Sequence, residues 1–507
     1  EAINTAYQFD GANQDGGYDN TCYQAVNDPL DVTVEASCTE PVEFPNRWQP
    51  LSFGGAFEDQ SGNQTFEDVV PFSGANWGNV TPYALDPAEA MYAERDGCTY
   101  PVYLDPGPPI MLGESSDTQY EWQTGFAHVA VWQNHLNVAD SVSIDISPRA
   151  CGNINAYPAN PDYLYGIDEG GDFGTGHALN PVTGIPYPAQ NVLRGDYTRV
   201  LAEFWADGPE SETPPGHWFT ILNSVTDHPD FDWKWEGKGE PLPPNAYLAR
   251  AYRLLGGTMH DAAIAAWSVK GYYDFVRPIT AIRYMLSKGQ SSQSELPSYD
   301  PEGVPLIEGV FELVQEGDPI LESEPEALGT VKTHRWLAGD EGSDGEFGWT
   351  TGCAWRPFQM PTFVTPPFAG YVSGHSTYSR AAADALSFAT GSRYFPGGVG
   401  IFEVEAGTFL AFESGPSEAF ELQWATYQDA ADQCALSRIW GGIHPPMDDI
   451  RGREMGKQVA QLAIAQFREE LDVIFTPVMC PEDIDGNGNV GTNDLLALLS
   501  KYGEDCE

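Results

Sequence analysis

The chain has 507 residues, of which 74 are acidic and 24 basic, leaving a net charge of −50. A chain this acidic repels nucleic acid and anionic membrane surfaces, which excludes polyanion binding as its work. Fourteen Trp, 25 Phe and 24 Tyr exclude disorder, because disordered chains are poor in aromatics. The charge suits an extracellular protein or salty water, where the Debye length shrinks to roughly 4–5 Å and self-repulsion is screened.

Residues 1–120 are rich in Gly, Asn, Asp, Pro and Tyr and read as loops with short strands. Residues 121–138 have helix-like apolar spacing, and loops follow to about 187. From 188 the pattern turns helical, with candidate helices at 190–206, 244–269, 271–288, 305–316, 374–390, 417–439 and 448–471. The stretch 289–367 reads as a long acidic loop, of the kind that caps or serves a site. The helical pattern stops at Thr476-Pro477, where the composition changes. The expected organisation is one mainly α domain over 1–474, with a loop-rich part (1–187) and a helical core (188–474), followed by a small segment at 475–507. No run of about 18 apolar residues is present, so no membrane span is expected.

Eight Cys are spread along the chain without a CxxC pair, which fits disulfides in an oxidising compartment. Cys22–Cys38 and Cys480–Cys506 are candidate local pairs, but spacing does not fix the connectivity. The chain opens Glu1-Ala2-Ile3 without Met, and is read as secreted or periplasmic with a signal peptide already removed.

Three segments carry the chemistry: Lys270-GYYDFV-Arg277-Pro278, Ser373-Gly374-His375, and Ser437-Arg438-IWGGI-His444-PPM-Asp448. Ser-Gly at a helix start offers backbone N–H groups and the positive end of the helix dipole to an anion. Lys270, Arg277 and Arg438 would add positive charge, and Arg forks match tetrahedral oxyanions. His444 could serve as nucleophile or metal ligand, and His375 as acid–base partner. Each piece alone is weak: a Lys and an Arg seven residues apart are more often a solvated face, and Ser-Gly-His is more often a helix cap. Their order, internal spacing and the Pro after Arg277 are far more specific.

In this form the sequence resembles the superfamily of phosphatidic acid phosphatases, bacterial acid phosphatases and vanadium haloperoxidases. All three parts of its signature stand in order, with Val372 where Pro is usual. NRWQPL (46–51), EFWADGP (203–209), PPGHW (214–218) and PPFAGYVSGHSTYS (366–379) look like the bacterial haloperoxidase branch, over about 46–470. The resemblance implies two four-helix bundles and a vanadate cofactor. His444 would be the single protein bond to vanadium. Lys270, Arg277, Arg438, Ser373 and Gly374 would hold the oxygens, and His375 would face the apical one. Lys270, His375 and His444 would carry the catalysis. Asp207 would brace Arg438, and Asp448 would orient His444. Trp267 and Phe368 would flank the halide, a pairing that looks more like chloroperoxidases than like bromide-preferring algal enzymes, which carry His at the position of Phe368. The implied reaction is oxidation of halide by hydrogen peroxide to hypohalous acid. Dimers are common in that family, so a homo-oligomer is an open expectation.

Residues 483–494 read DIDGNGNVGTND. Asp483, Asp485, Asn487 and Asp494 occupy positions 1, 3, 5 and 12 of an EF-hand-type calcium loop, with Gly488 at the sharp turn and Asn489 offering its carbonyl. The pattern resembles a single dockerin repeat. A full dockerin has two, so a cohesin-like partner does not follow. The GxGxxG match inside it lacks a βαβ unit and is set aside.

Two other readings stay open. A secreted acid phosphatase would use the same pocket, with His444 attacking phosphorus and His375 protonating the leaving group. A non-catalytic scaffold would use only the C-terminal segment, but its anion site would then have no reason to be intact.

Overall fold

The structure is a computed structural model, and it describes residues 9–32, 42–55, 57–58, 64–65, 68–154, 157, 165–166, 171–172, 174–206, 212–337, 345–475 and 491. Eight α-helices lie among the described residues: α1 (Ser116–Gln133), α2 (Arg194–Phe204), α3 (Pro214–Asp227), α4 (Pro244–Tyr273), α5 (Pro278–Lys288), α6 (Gly374–Thr390), α7 (Tyr427–Trp440) and α8 (Pro446–Phe475). Their starts follow from local chemistry. Ser115 caps α1 and Thr426 caps α7, each in a reciprocal capping box, while Pro stands in the first turn of α3, α4 and α5.

The centre of the molecule is α6, packed against α4, α7 and α8. Its middle buries a run of alanines: Ala381, Ala382, Ala383 and Ala385. Small side chains let helix axes approach, and α8 meets α6 with glycines one turn apart. A Cβ on Gly452 would stand 2.7 Å from the Ser373 carbonyl oxygen, and one on Gly456 would stand 2.3 Å from that of Thr377. Only glycine permits this contact, which brings the start of α8 beside the start of α6. A buried ion network locks the arrangement. Arg453 of α8 binds Asp432 of α7 and Asp449 of its own helix, each at 2.8 Å, and Ser376 of α6 donates to Asp449 at 2.7 Å.

Several expectations are corrected. Residues 305–316 form no helix; they lead into β3 (Phe311–Leu313), which pairs with β4 (Val331–Trp336), itself paired with β5 (Phe347–Thr351). The stretch expected as a loop at 289–367 therefore carries a three-stranded antiparallel sheet. The expected helix at 417–439 divides into strand β7 (Phe420–Trp424), paired with β6 (Gly400–Val404), and helix α7. Helix α3 falls in a stretch where no helix was expected. In the N-terminal part the hairpin β1 (Met91–Arg95) and β2 (Cys98–Val102) leans on α4. Cys22 pairs with Cys98, not with Cys38, and Cys353 is also disulfide-bonded. The 483–494 loop and Cys480–Cys506 lie outside the described residues. No described helix is long and apolar enough to cross a membrane.

Candidate active site

The three motifs converge. Lys270 lies in the last turn of α4, Arg277 just before α5, Ser373 at the cap of α6, Arg438 near the end of α7, and His444 just before α8. Lys270, Ser373 and Arg438 have no measurable exposure, and Arg277, His444 and His375 are 1 %, 2 % and 5 % exposed. Burying three cations together is costly unless each is hydrogen-bonded. Backbone carbonyls meet that need. The Lys270 ammonium donates to Ala369 and Gly370, both at 2.8 Å. Arg277 donates to Phe368 at 2.8 Å and Ile443 at 2.9 Å, and Arg438 to Ala202 at 2.8 Å. These carbonyls fix the cations in place without neutralising them.

His444 donates from Nδ1 to Asp448 at 2.7 Å, which leaves Nε2 with its lone pair free to accept; Arg277 lies 3.1 Å from it. Burial, then Arg277 and Lys270, hold the His444 ring well below the usual histidine range, so it is neutral. Burial pushes the Asp448 carboxyl up to about 8, against the pull of Lys270 and Arg277. His375 is likewise held low, by burial and then by Arg438, while a hydrogen bond to the Trp205 backbone works the other way. Its Nε2 is buried and meets no hydrogen-bonding partner. Together with Trp267, Phe368, Gly374 and His444 it lines a crevice of about 10 Å³.

The apolar wall is built as tightly. Trp267 and Phe368 stand 4.8 Å apart between ring centres, and the Trp267 indole donates to the Ser73 carbonyl at 3.0 Å. A Cβ on Gly374 would meet the Trp267 ring at 3.2 Å, so the first turn of α6 is open because residue 374 has no side chain. The Lys270 ammonium is 5.1 Å from the Phe368 ring centre, where aromatic carbon replaces water against the charge.

The donor set is that of an oxyanion site: two guanidinium forks, an ammonium and a helix N-terminus, with the orphaned Nε2 of His375 beside them as a proton acceptor. Vanadate fits these residues, and His444 Nε2, which here accepts from Arg277, is the nitrogen that would bond the metal. Among the described residues no cluster of three His, Cys, Asp or Glu stands ready for a bare cation. Asp207 and the residues Asp483, Asp485, Asn487, Asn489 and Asp494 lie outside the described residues. Sequence reasoning missed the carbonyl anchors, which carry no side-chain signal. It also missed the Asp432–Arg453–Asp449 network, although the spacing of Asp449 and Arg453, one turn apart, was there to read.

The chain has the helical-bundle fold of vanadium haloperoxidases. Residues 250–297 and 326–472 match the family model described as the VCPO second helical-bundle domain. The apo-type bacterial vanadium-dependent chloroperoxidase superposes with a TM-score of 0.53 at 15 % identity, covering 92 % of this chain and 72 % of that one. Its holo-type gives 0.52 at 15 % identity, covering 92 % and 71 %. The first bacterial vanadium-dependent iodoperoxidase gives 0.41 at 17 % identity, covering 84 % and 62 %. No curated protein sequence matches the chain.

Proposed function

We propose that the chain is a vanadate-dependent haloperoxidase that oxidises halide with hydrogen peroxide to hypohalous acid. The observation that carries this reading is the buried cradle in which neutral His444 and the orphaned Nε2 of His375 face one crevice among Lys270, Arg277 and Arg438. Lys270, Arg277, Arg438, Ser373 and the Gly374 N–H would hold the vanadate oxygens, and His444 Nε2 would bond vanadium. Bound vanadate would supply a Lewis-acid centre for hydrogen peroxide. The three cations offset negative charge that develops there, at fixed positions that need no reorganisation. His375, neutral at pH 7, is suited to take a proton on Nε2 and to return it. Trp267 and Phe368 exclude water beside it and leave a halide-sized space. The same crowding disfavours the phosphatase reading, since a phosphate ester needs room for its alcohol next to the anion.

The test is halide oxidation by purified protein with peroxide and iodide, bromide or chloride, before and after orthovanadate. Turnover should require vanadate, fall on phosphate addition and disappear in His444→Ala. Hydrolysis of a phosphate ester, inhibited by vanadate, with no halide oxidation would mean a phosphatase.

For the C-terminal segment we propose a calcium loop at 483–494. Calcium added to the chelator-treated full chain should give saturable heat in a calorimetric titration, abolished in Asp483→Ala combined with Asp485→Ala. An unchanged titration in that double variant would place the calcium elsewhere.

A further inference from the structure

The backbone of residues 202–206 has two sides. Toward the anion site it presents the Ala202 carbonyl to Arg438 and the Trp205 backbone to His375. Away from it, Glu203, Phe204 and Ala206 line a second cavity of about 550 Å³, a size that holds a small organic molecule. Phe402, Phe412 and Trp424 complete an aromatic wall with Phe204, whose ring centre is 4.6 Å from Phe402 and 6.1 Å from Trp424. Such rings bind flat apolar molecules by face and edge.

The polar groups of this cavity are few and mostly uncharged. Glu203 accepts the Ala411 N–H at 2.6 Å and the Phe412 N–H at 3.3 Å; burial pushes its carboxyl up to about 8, so it is neutral at pH 7. His217 is lowered by burial and neutral too, with Glu212 3.3 Å away at the exposed rim. The His217 ring packs 4.9 Å from Trp205 and feels the charge of Arg438, so cavity and anion site adjoin. An anionic ligand would meet Glu212 and a strongly acidic surface. A neutral ligand with a hydroxyl or N–H finds aromatic walls and two neutral hydrogen-bonding groups.

We propose that this cavity binds a neutral, electron-rich aromatic compound of the phenol or indole kind and holds it as the acceptor of the oxidised halogen. The acceptor role rests on the haloperoxidase reading. The His217–Trp205 packing lies between the two sites, so hypohalous acid released from the anion site forms beside the cavity. A ring carbon bonds the halogen as the oxygen–halogen bond breaks, and the ring C–H gives its proton to the departing hydroxide, leaving aryl halide and water.

The probe is 2-naphthol, with naphthalene-2-carboxylate as the anionic counterpart. Thr220 and Ile401 line the cavity and are exposed, so Thr220→Trp and Ile401→Trp fill it without disturbing the core. In calorimetry without peroxide, 2-naphthol should bind saturably and the carboxylate should not. Each variant should weaken binding and raise KM for naphthol halogenation by about tenfold, a change of about 1.4 kcal/mol. Triiodide formation from iodide should stay unchanged in both, which also shows that they fold. No saturable binding, or binding indifferent to both substitutions, overturns the cavity assignment. Binding that behaves as expected in a protein with no halide oxidation overturns the acceptor role and the enzymatic reading together.

Discussion

At the scale of single residues, the chain buries positive charge at the anion site and withholds charge from the wall of the large cavity. Desolvation opposes charge at both Lys270 and Glu203. The ammonium stays fixed by two carbonyls, while the carboxyl is driven neutral. Folding raises the Glu203 pKa from 4.5 to about 8, so the folded chain takes up a proton between those values. Its stability contribution is complete below pH 4.5 and is lost as the pH climbs through about 8. Arg199 pulls this group down and Glu413 pushes it up, and neither outweighs burial. Glu203→Gln keeps an acceptor for the 411–412 amides and cannot ionise. Its melting temperature should therefore decline less than that of the parent between pH 5 and 8. Parallel melting curves across that range would mean that Glu203 is already charged at neutral pH.

At the scale of elements, the site depends on how α6, α7 and α8 register against one another. Asp449 accepts from Ser376 and from Arg453, so its removal takes one of two carboxylates from a buried guanidinium where three helices meet and leaves it Asp432. Asp449→Ala should cost roughly 3–5 kcal/mol in denaturant unfolding. A loss under about 1 kcal/mol would mean the network is not what sets the helices. The helices that hold this site were legible because their alanines and apolar side chains repeat at helical spacing, and the reactive side chains fell into three short runs. Other elements were not. The stretch 305–316 holds Val310, Phe311 and Val314, whose apolar spacing passes for a helix; Pro305, Gly309 and pairing with Val331–Thr333 decide for strand. Trp218, Ile221, Leu222 and Val225 repeat at helical spacing in α3, whose first turn holds Pro214 and Pro215, and this stretch was not among the expected helices. The carbonyls that hold Lys270, Arg277 and Arg438 could not be read at all, since any residue supplies one.

At the scale of the whole molecule, an acidic exterior surrounds a cationic centre, and the N-terminal part is tied to the bundle. Cys22–Cys98 closes a separation of 76 residues and so removes much of the freedom of the unfolded chain. The hairpin it anchors meets α4 through Arg95, which lies 3.3 Å from Asp274, four residues after Lys270. Cys98→Ser should lower stability by roughly 2–5 kcal/mol. Equal melting temperatures with and without a reductant would show that the bond adds nothing.

The strip at 202–206 has a consequence for how such a protein can change. A mutation that widens the large cavity at Glu203 or Phe204 also moves the peptide groups on which Arg438 and His375 rest. Acceptor range and turnover rate then cannot drift separately, and a lineage or a laboratory selecting new acceptors here would see rate fall with each gain in breadth. Changes at Ile401 or Thr220, exposed at the edge of the cavity, lie outside that strip, and new acceptor preferences should accumulate there first.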